Sequence, residues 1–570
     1  GPVRGPYHGT KSVNGMGFAN KTGLGCGAGT PLKRRMRALV LAVCLLALAG
    51  IALFRARQAA SSLLGAPLAD SGRVASITAL TRQTGDDCAL LWNGAELPYD
   101  AETDAYCLPQ PLNGEVRGTL TSSWGRVWLP ADEWEGDWAD DMSSSEVRQV
   151  YVSDGKRWCS LRVCLSGLPV LSVHTSHSEP AELNYEMRER NYGDVTLFWP
   201  EGNFRQQVLS SKVEWHWRGN ASLLSQKKSY RVNLLDEAGQ SNPLDFLGLG
   251  EDDGWILVNF STDCTRTRDM AANLLWNELA ADNESDPAGA VIQYVELYLD
   301  DEYMGVYGLC RPLGRKTLDL GANDVLYKWR LSNMMKPHEF DWMEEEQMMD
   351  YFGAIEISWP NEWRPGAWHI LQPYVKSLYM AGEPVPWETV ESLLDVENAV
   401  DVALFKQFTC AVDNALQNMY LLYRDDEGLI YRIPWDMDYT FGDYYDEFYS
   451  LDMTSTFLPD MELDTLYYAD SSRAQQLIAQ RWSELRGTVL TMENVTALFG
   501  AAQEELTASG ALGRDTALWG NAETYPWESH YRTLDTEQTL EFMEQRLAFL
   551  DDYMAEYTPA DREAFDVLPK

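Results

Sequence analysis

The sequence predicts an α+β protein, with a strand-rich first part and a helical second part. Three observations predict it. From Leu168 onward, "LPVLSVHT", "KVEWHWRGN" and "KSYRVNLL" alternate apolar and polar residues as half-buried strands do. "TRTRDMAANLLWNELAAD" then changes to helical spacing, with Met270, Leu274, Leu275 and Leu279 on one face. From Ser471, "AQQLIAQRWSELRGTVL" and "TEQTLEFMEQRLAFLDDYM" carry apolar faces of 3.6-residue period.

The elements follow in order. Residues 1–32 are Gly-rich and read as a disordered or non-native leader. In 33–57, four basic residues precede the uncharged run Ala38–Phe54, which is a signal anchor or, with "ALA" at Ala47–Ala49, a cleaved signal peptide. Either way the rest of the chain leaves the cytoplasm: anchored by a single pass in the cell membrane, or secreted if the signal is cleaved. Residues 61–167 form short apolar runs broken by Gly, Asn and Asp, with "SDGK" as a turn, and read as a small β-rich domain. The main domain spans 168–556. In it, "YVELYLDDEYMGVYGLC" is a hairpin about Asp300–Glu302, and "DVLYKWRL" is a further strand. The stretch 334–390 is an irregular helical insertion. "VENAVDVALFKQFTCAVDNAL" is a helix, and "MYLLYRDDEGLIYRIPWDMD" is a hairpin turning at Asp425–Gly428.

Bulk composition narrows the function classes. The chain has 570 residues and 45% hydrophobic content, with 21 Trp and 28 Tyr, so it buries a sizeable core. The formal charge is −40, and beyond Gln58 the 37 Lys/Arg and 86 Asp/Glu carry −49. Such a surface repels phosphate backbones, so nucleic acid is not an expected partner. It suits solubility, a cation-rich setting or a basic protein substrate. Cys88, Cys107, Cys159 and Cys164 fit two disulfides of unassigned pairing in an exported segment. Cys264, Cys310 and Cys410 read as buried thiols, and no Cys/His spacing supports zinc.

Three clusters carry possible chemistry. In "RGNASLLSQKKSYRVNL", a Gly turn lies between Arg218 and a strand with Lys227, Lys228 and Arg231. Backbone amides and cations together make a phosphate site, whereas solvated lysines on a hairpin loop make none. Alternation sends Lys228 and Tyr230 to one face, and Ser229 and Arg231 to the other. In "CAVDNALQNMYLLY", Asp413 and Asn418 have the Asp-x4-Asn spacing of a proton-accepting Asp and a metal-binding Asn in a kinase catalytic loop; Asp and Asn also cap helices. In "YRIPWDMDYTFG", Asp436 and Asp438 close a strand. They are either hard-oxygen ligands for Mg²⁺ or capping acids of a turn. Both point one way if the segment stays extended.

Taken together with "WILVNFSTDCTRTRDMAANLLWNEL", "VELYLDDEYMGVYGL", "DVLYKW" and "QRWSELR", these blocks resemble the CotH kinase family, named for spore-coat protein H, over roughly Leu168 to Met554. The resemblance implies a divergent protein-kinase-like fold with a β-rich N-lobe and a helical C-lobe. It implies ATP and Mg²⁺ or Mn²⁺ as cofactors, and phosphorylation of Ser or Thr in an exported protein substrate. By motif, Asp436 is a metal ligand, with Asn418 and Asp438 beside it, and Asp413 is the second functional acid, as base or metal ligand. Trp435 lies near the nucleotide, Arg218, Lys228 and Arg231 are phosphate contacts, and Tyr298 and Tyr307 line the adenine side. Members often show Arg-Asn at the start of the first long helix, where this chain has Arg268-Asp269. The alternatives are a non-catalytic cell-surface binding or scaffold protein that keeps the fold, and carbohydrate binding by the many Trp.

Overall fold

The computed structural model describes residues 64–112, 118–135, 142–176, 189–203, 206–219, 221–223, 225–283, 286–329, 351–352, 355–362, 364, 366–379, 384–415, 417–444, 451–520 and 534–560. The leader 1–32 and the apolar segment 33–57 lie outside the described residues. Among the described residues, no helix is long and apolar enough to cross a membrane.

The chain is a mixed α+β protein, as its patterning predicts. Between Leu68 and Ser166 the strands build two small sheets. The hairpin Val147–Ser153 to Arg157–Ser166 is their backbone, with "SDGK" as its turn. Ala105–Pro109 pairs in parallel with Val163–Ser166. Their shared apolar core takes in Val170, Phe198 and Tyr298 from the next part of the chain, so the two parts are joined by side-chain packing. Cys88, Cys107, Cys159 and Cys164 are free thiols in the structure.

The strands Val170–Thr175, Asn191–Phe198, Val208–Arg218, Ser229–Leu235, Gly254–Val258, Ile292–Leu299 and Glu302–Cys310 then close into a seven-stranded barrel. Closure leaves no free sheet edge. Alternate residues fill the interior: Leu171 and Val173, Val195 and Leu197, Val213 and Trp215, Val232 and Leu234. These are the period-two positions read in the sequence. Gly305 sits at φ +96°, and a Cβ there would come 2.3 Å from an Asp515 carboxylate oxygen. Only glycine lets the helix Ala511–Trp519 lie this close to the barrel. Asp515 is fully buried and carries Arg266 Nε at 2.9 Å, with Lys227 Nζ at 2.5 Å. Lys227 is therefore a structural cation.

A second sheet, ordered Tyr351–Phe352, Ile355–Trp359, Val325–Trp329, Met419–Arg424 and Leu429–Pro434, packs under the helices. Where described, the stretch 334–390 supplies two of these strands, the helix Ala367–Tyr379 and the start of the helix Trp387–Glu391, and 334–350 lie outside the described residues. The β-branched Ile355 and Ile357 pair with Trp329 and Tyr327, and sheet pairing outweighs the local pattern. The hairpin Met419–Pro434 turns at Asp425–Gly428 as read. On the helix Arg268–Asp282, Met270, Leu275 and Leu279 are buried but Leu274 is exposed. The buried stripe runs instead through Ala271, Ala272, Leu275, Trp276 and Leu279.

That helix starts on a buried ion pair. Asp263 accepts the backbone N–H of Thr267 at 2.7 Å and of Arg268 at 2.8 Å, and it pairs with the Arg268 guanidinium. Burial works against the Asp263 carboxylate, but Arg268 and the amides outweigh it and hold it below the usual carboxylate range. Arg268 also reaches the Leu534 carbonyl at 2.7 Å, Thr539 at 2.6 Å and Asp443 at 3.2 Å. Replacing Arg268 by Met leaves two buried carboxylates uncompensated. The expected loss is about 3–5 kcal/mol, read from the urea unfolding midpoint; a midpoint within error of the parent contradicts this account.

A buried acid pair makes stability depend on pH. Burial, and then the neighbouring Asp401 carboxylate, push Asp286 up to about 8. Asn398 donates to its Oδ1 at 2.9 Å, and Asp401 is itself held by Arg481 at 2.6 and 2.8 Å. The folded state keeps the Asp286 proton where the unfolded chain has lost it. Stability therefore falls as pH rises from about 4 towards 8, and levels off above. Asp286→Asn should flatten that decline in a series of melting curves. An unchanged slope refutes the assignment.

Candidate active site

The loop after the helix Val396–Thr409 begins the site. Cys410 caps the helix in the left-handed conformation, at φ +53°, and the chain turns through a short 3₁₀ segment at Asp413–Ala415. Asn414 then ties the loop to the hairpin mouth. Its amide donates to the carbonyls of Asn418 and Trp435, each at 2.8 Å, and Trp435 N–H donates back to the Asn418 carbonyl at 3.1 Å. Asp413 and Asn418 are thus held beside Trp435-Asp436 by a local hydrogen-bond lattice. The Asp413 carboxylate accepts the Gln417 amide at 2.5 Å on one oxygen and the Asn418 amide on the other. Asn418 spends its NH₂ on Asp413, and its Oδ1 accepts nothing among the described residues.

Asp436 is exposed and sits at φ +62°. That backbone is uncommon for a residue with a Cβ, and Asp is among the types that tolerate it. It breaks the extended path, so simple alternation no longer relates Asp436 to Asp438. Asp438 accepts Thr262 Oγ1 at 2.8 Å and the Tyr439 N–H at 3.0 Å. Its carboxyl also caps the turn into "YTFG", where Thr440 Oγ1 donates to the Met437 carbonyl at 2.8 Å. Phe441 N–H reaches the Thr409 carbonyl at 2.5 Å, which returns this turn to the helix that precedes Asp413.

A further acid converges here. Asp269, on the first turn of its helix, accepts Met437 N–H at 3.1 Å and the Asn273 amide at 2.8 Å. Burial, then the Asp436 carboxylate, push it up to about 7. Burial, then Asp436, Asp269 and Asp413, hold Asp438 well above the usual carboxylate range. None of Asp269, Asp436 and Asp438 has a Lys or Arg ion-pair partner among the described residues. No three His, Cys, Asp or Glu side chains there close on a single point as a self-sufficient metal cage.

Two further cations come from the barrel strands. Arg218 ends one strand, half-buried, and its guanidinium has no hydrogen-bond or ion-pair partner among the described residues. Arg231 lies over Gly254, where a Cβ would come 2.2 Å from its guanidinium. It donates to Asn233 at 3.1 Å, and burial followed by the like charge of Arg218 lowers its pKa. Both sets act on the Cys310 thiol. Burial pushes its thiol up to about 12; Arg218 and Arg231 pull it down, and Asp269 and Asp436 push it up. Trp435 lies edge-on to Tyr420 at 5.7 Å, with the Lys328 ammonium 5.7 Å from the Trp435 ring and 5.5 Å from that of Tyr420.

The structure therefore brings Asp413, Asn418, Trp435, Asp436 and Asp438 together, while Arg218 and Arg231, from the barrel, act on the Cys310 thiol that Asp436 also acts on. Lys228 stands apart from these groups. Its ammonium donates to the Leu223 carbonyl at 2.9 Å and to the Ser225 carbonyl, and lies 5.3 Å from the Trp217 ring. Tyr298 is buried against Cys107 and Tyr303, in the core shared with the amino-terminal strands. Tyr307 is buried inside the barrel, 5.8 Å from Tyr230. Sequence reasoning passed over Asp269, Thr262 and Lys328. The Arg-Asp departure at 268–269 and the cation in "DVLYKW" were the available signals. Thr262 had none.

No curated protein matches the chain. A family model described as CotH kinase protein matches residues 216–550, which contain every group of the site from Arg218 to Asp438. The chain belongs to the CotH kinase protein family.

Proposed function

We propose that the chain is an ATP-dependent protein kinase with a divergent kinase-like fold. On this reading it transfers a phosphoryl group to Ser or Thr of a protein substrate outside the cytoplasm, with Mg²⁺ or Mn²⁺. The observation that carries the reading is that a barrel-rim guanidinium, Arg218, and the acids Asp269 and Asp436, none of them with an ion-pair partner among the described residues, lie near enough to Cys310 to act on the same thiol in opposite senses. A metal–triphosphate complex has the reciprocal pattern of charges.

The residues fit such a group. Asp269 and Asp438 are held against ionisation by burial and by neighbouring acids, which is the electrostatic deficit a divalent cation relieves. Mg²⁺ is ordinarily bound by one or two carboxylates plus phosphate oxygens and water, so a closed cage of three acids is not required. Asp436, Asp438 and the Asn418 amide oxygen would hold the metal, and Arg218 and Arg231 the phosphates. ATP with its metal supplies the transferable phosphoryl group and neutralises charge on it. Asp413, fixed by Gln417 and Asn418, is oriented to accept the proton of the acceptor hydroxyl at a carboxylate oxygen. Trp435 and Tyr420 offer an aromatic wall for the base. The protein's work is positioning and charge neutralisation.

The test uses the full chain, labelled ATP, Mn²⁺ and a basic Ser-rich protein. Asp436→Ala should lower transfer by about 100-fold or more; parental activity in that variant overturns the site. Asp413→Asn should lose transfer yet keep its thermal stabilisation by ATP and metal. For the parent, that gain is about 2.7 kcal/mol at ligand 100-fold above Kd, and it vanishes with chelator. Arg218→Ala should weaken nucleotide binding about 10-fold, through loss of a charge-assisted contact. The second reading, a surface scaffold without turnover, is favoured by the amino-terminal strands lying outside the matched residues. It predicts no stabilisation by any nucleotide.

A further inference from the structure

The amino-terminal strands bring four cysteines together as two pairs of different geometry. The segment Thr81–Cys88 runs along the strand Arg157–Ser166. Thr81 and Arg82 pair with Arg157 and Trp158, and Gln83 N–H donates to the Trp158 carbonyl at 2.8 Å. Gly85 lies so close that a Cβ would come 2.8 Å from the Leu161 side chain. The turn then closes with Cys88 N–H on the Gly85 carbonyl at 2.8 Å, while the Tyr106 hydroxyl holds the Cys88 carbonyl at 3.0 Å. This path lays Cys88 beside Cys159 inside one apolar core, where each thiol acts on the ionisation of the other.

Cys107 and Cys164 are placed differently. They occupy directly paired positions on parallel strands. Side chains at such positions stand side by side, roughly perpendicular to the sheet, rather than aimed at each other. The Cys164 sulfur also sits 3.9 Å from the guanidinium of Arg514, which is paired with Glu296.

We propose that Cys88 and Cys159 form a disulfide that staples the amino-terminal β-rich domain, and that Cys107 and Cys164 remain thiols. The oxidant is a disulfide of the glutathione class. Cys88 is the attacking group. The Cys159 thiol beside it, then Ser122 and Ser123, hold it below the usual thiol range against burial, whereas Cys159 is raised by Cys88 and by burial. The Cys88 thiolate attacks one sulfur of the oxidant, the S–S bond breaks, and one thiol leaves with a proton. Cys159 then gives up its proton and attacks the Cys88 sulfur of the mixed disulfide, and the second thiol leaves. Two protein S–H bonds and one external S–S bond become one protein S–S bond and two external thiols. The bridge closes a loop across most of a small domain, the case in which restricting the unfolded chain stabilises most.

The experiment refolds the full chain in a glutathione redox buffer, alkylates it in denaturant, and maps peptides without reduction. The expected result is a single joined pair from Cys88 and Cys159, lighter by two hydrogens than the separate thiol peptides, with Cys107 and Cys164 alkylated. In Cys88→Ser the joined pair disappears and Cys159 becomes alkylated. The parent should also melt several degrees higher in oxidising than in reducing buffer, a difference the variant lacks. Alkylation of both Cys88 and Cys159 in the refolded parent, or joining of either to Cys107 or Cys164, overturns the proposal. Because the readout is a covalent bond in the amino-terminal strands, it is independent of whether the chain transfers phosphate.

Discussion

The site depends on the buried clamp around Arg268. One guanidinium joins Asp263 before the helix, Asp443 after the "YTFG" turn, and the Leu534 carbonyl and Thr539 at the start of the last long helix. A buried charge is tolerated only when its partners satisfy it, so these segments cannot drift apart without exposing an unpaired ion. The next residue, Asp269, inherits that fixed position and takes the Met437 N–H. The clamp thereby sets where the strand-end acids stand relative to the helix.

A second level of organisation is the division of charge between cations fixed by function and by structure. Lys227 and Arg266 are spent on Asp515, Arg432 and Lys406 on Asp460, and Arg514 on Glu296, all within cores. Arg218 has no such debt. A cation left without an acid in so acidic a chain is what makes the barrel rim attractive to an anion. The opposite holds for Asp269 and Asp438, which are acids left without a cation. Folding brings both deficits to bear on Cys310.

Much of this was legible in residue patterns, and the failures have identifiable causes. The hairpin at Met419–Pro434 and the turn at Asp300–Glu302 were readable because period-two alternation and polar turn residues are local properties. The loop acids were readable because five-residue spacing and a strand-end Asp are local too. Leu274 was misplaced on its helix face because an apolar residue at the right spacing still needs a neighbour to cover it. The strand at Ile355–Trp359 was missed because its pairing with Val325–Trp329 is non-local. The Lys227–Lys228 pair could not be separated from sequence, since only the position of Asp515, almost three hundred residues away, decides which ammonium is buried.

The amino-acid sequence by itself determined the α+β order, the hairpins and the identity of the groups at Asp413, Asn418, Asp436 and Asp438. Each of these follows from chemistry within a few residues. Tertiary structure alone decided that the barrel closes, that Asp269 joins the acids, that Arg218 and Arg231 act on the same thiol as Asp269 and Asp436, and that Lys228, Tyr298 and Tyr307 are engaged elsewhere. The physical reason is that burial and charge pairing act between segments far apart in the chain. A residue's field and solvent access belong to its neighbours in space, which no local pattern specifies.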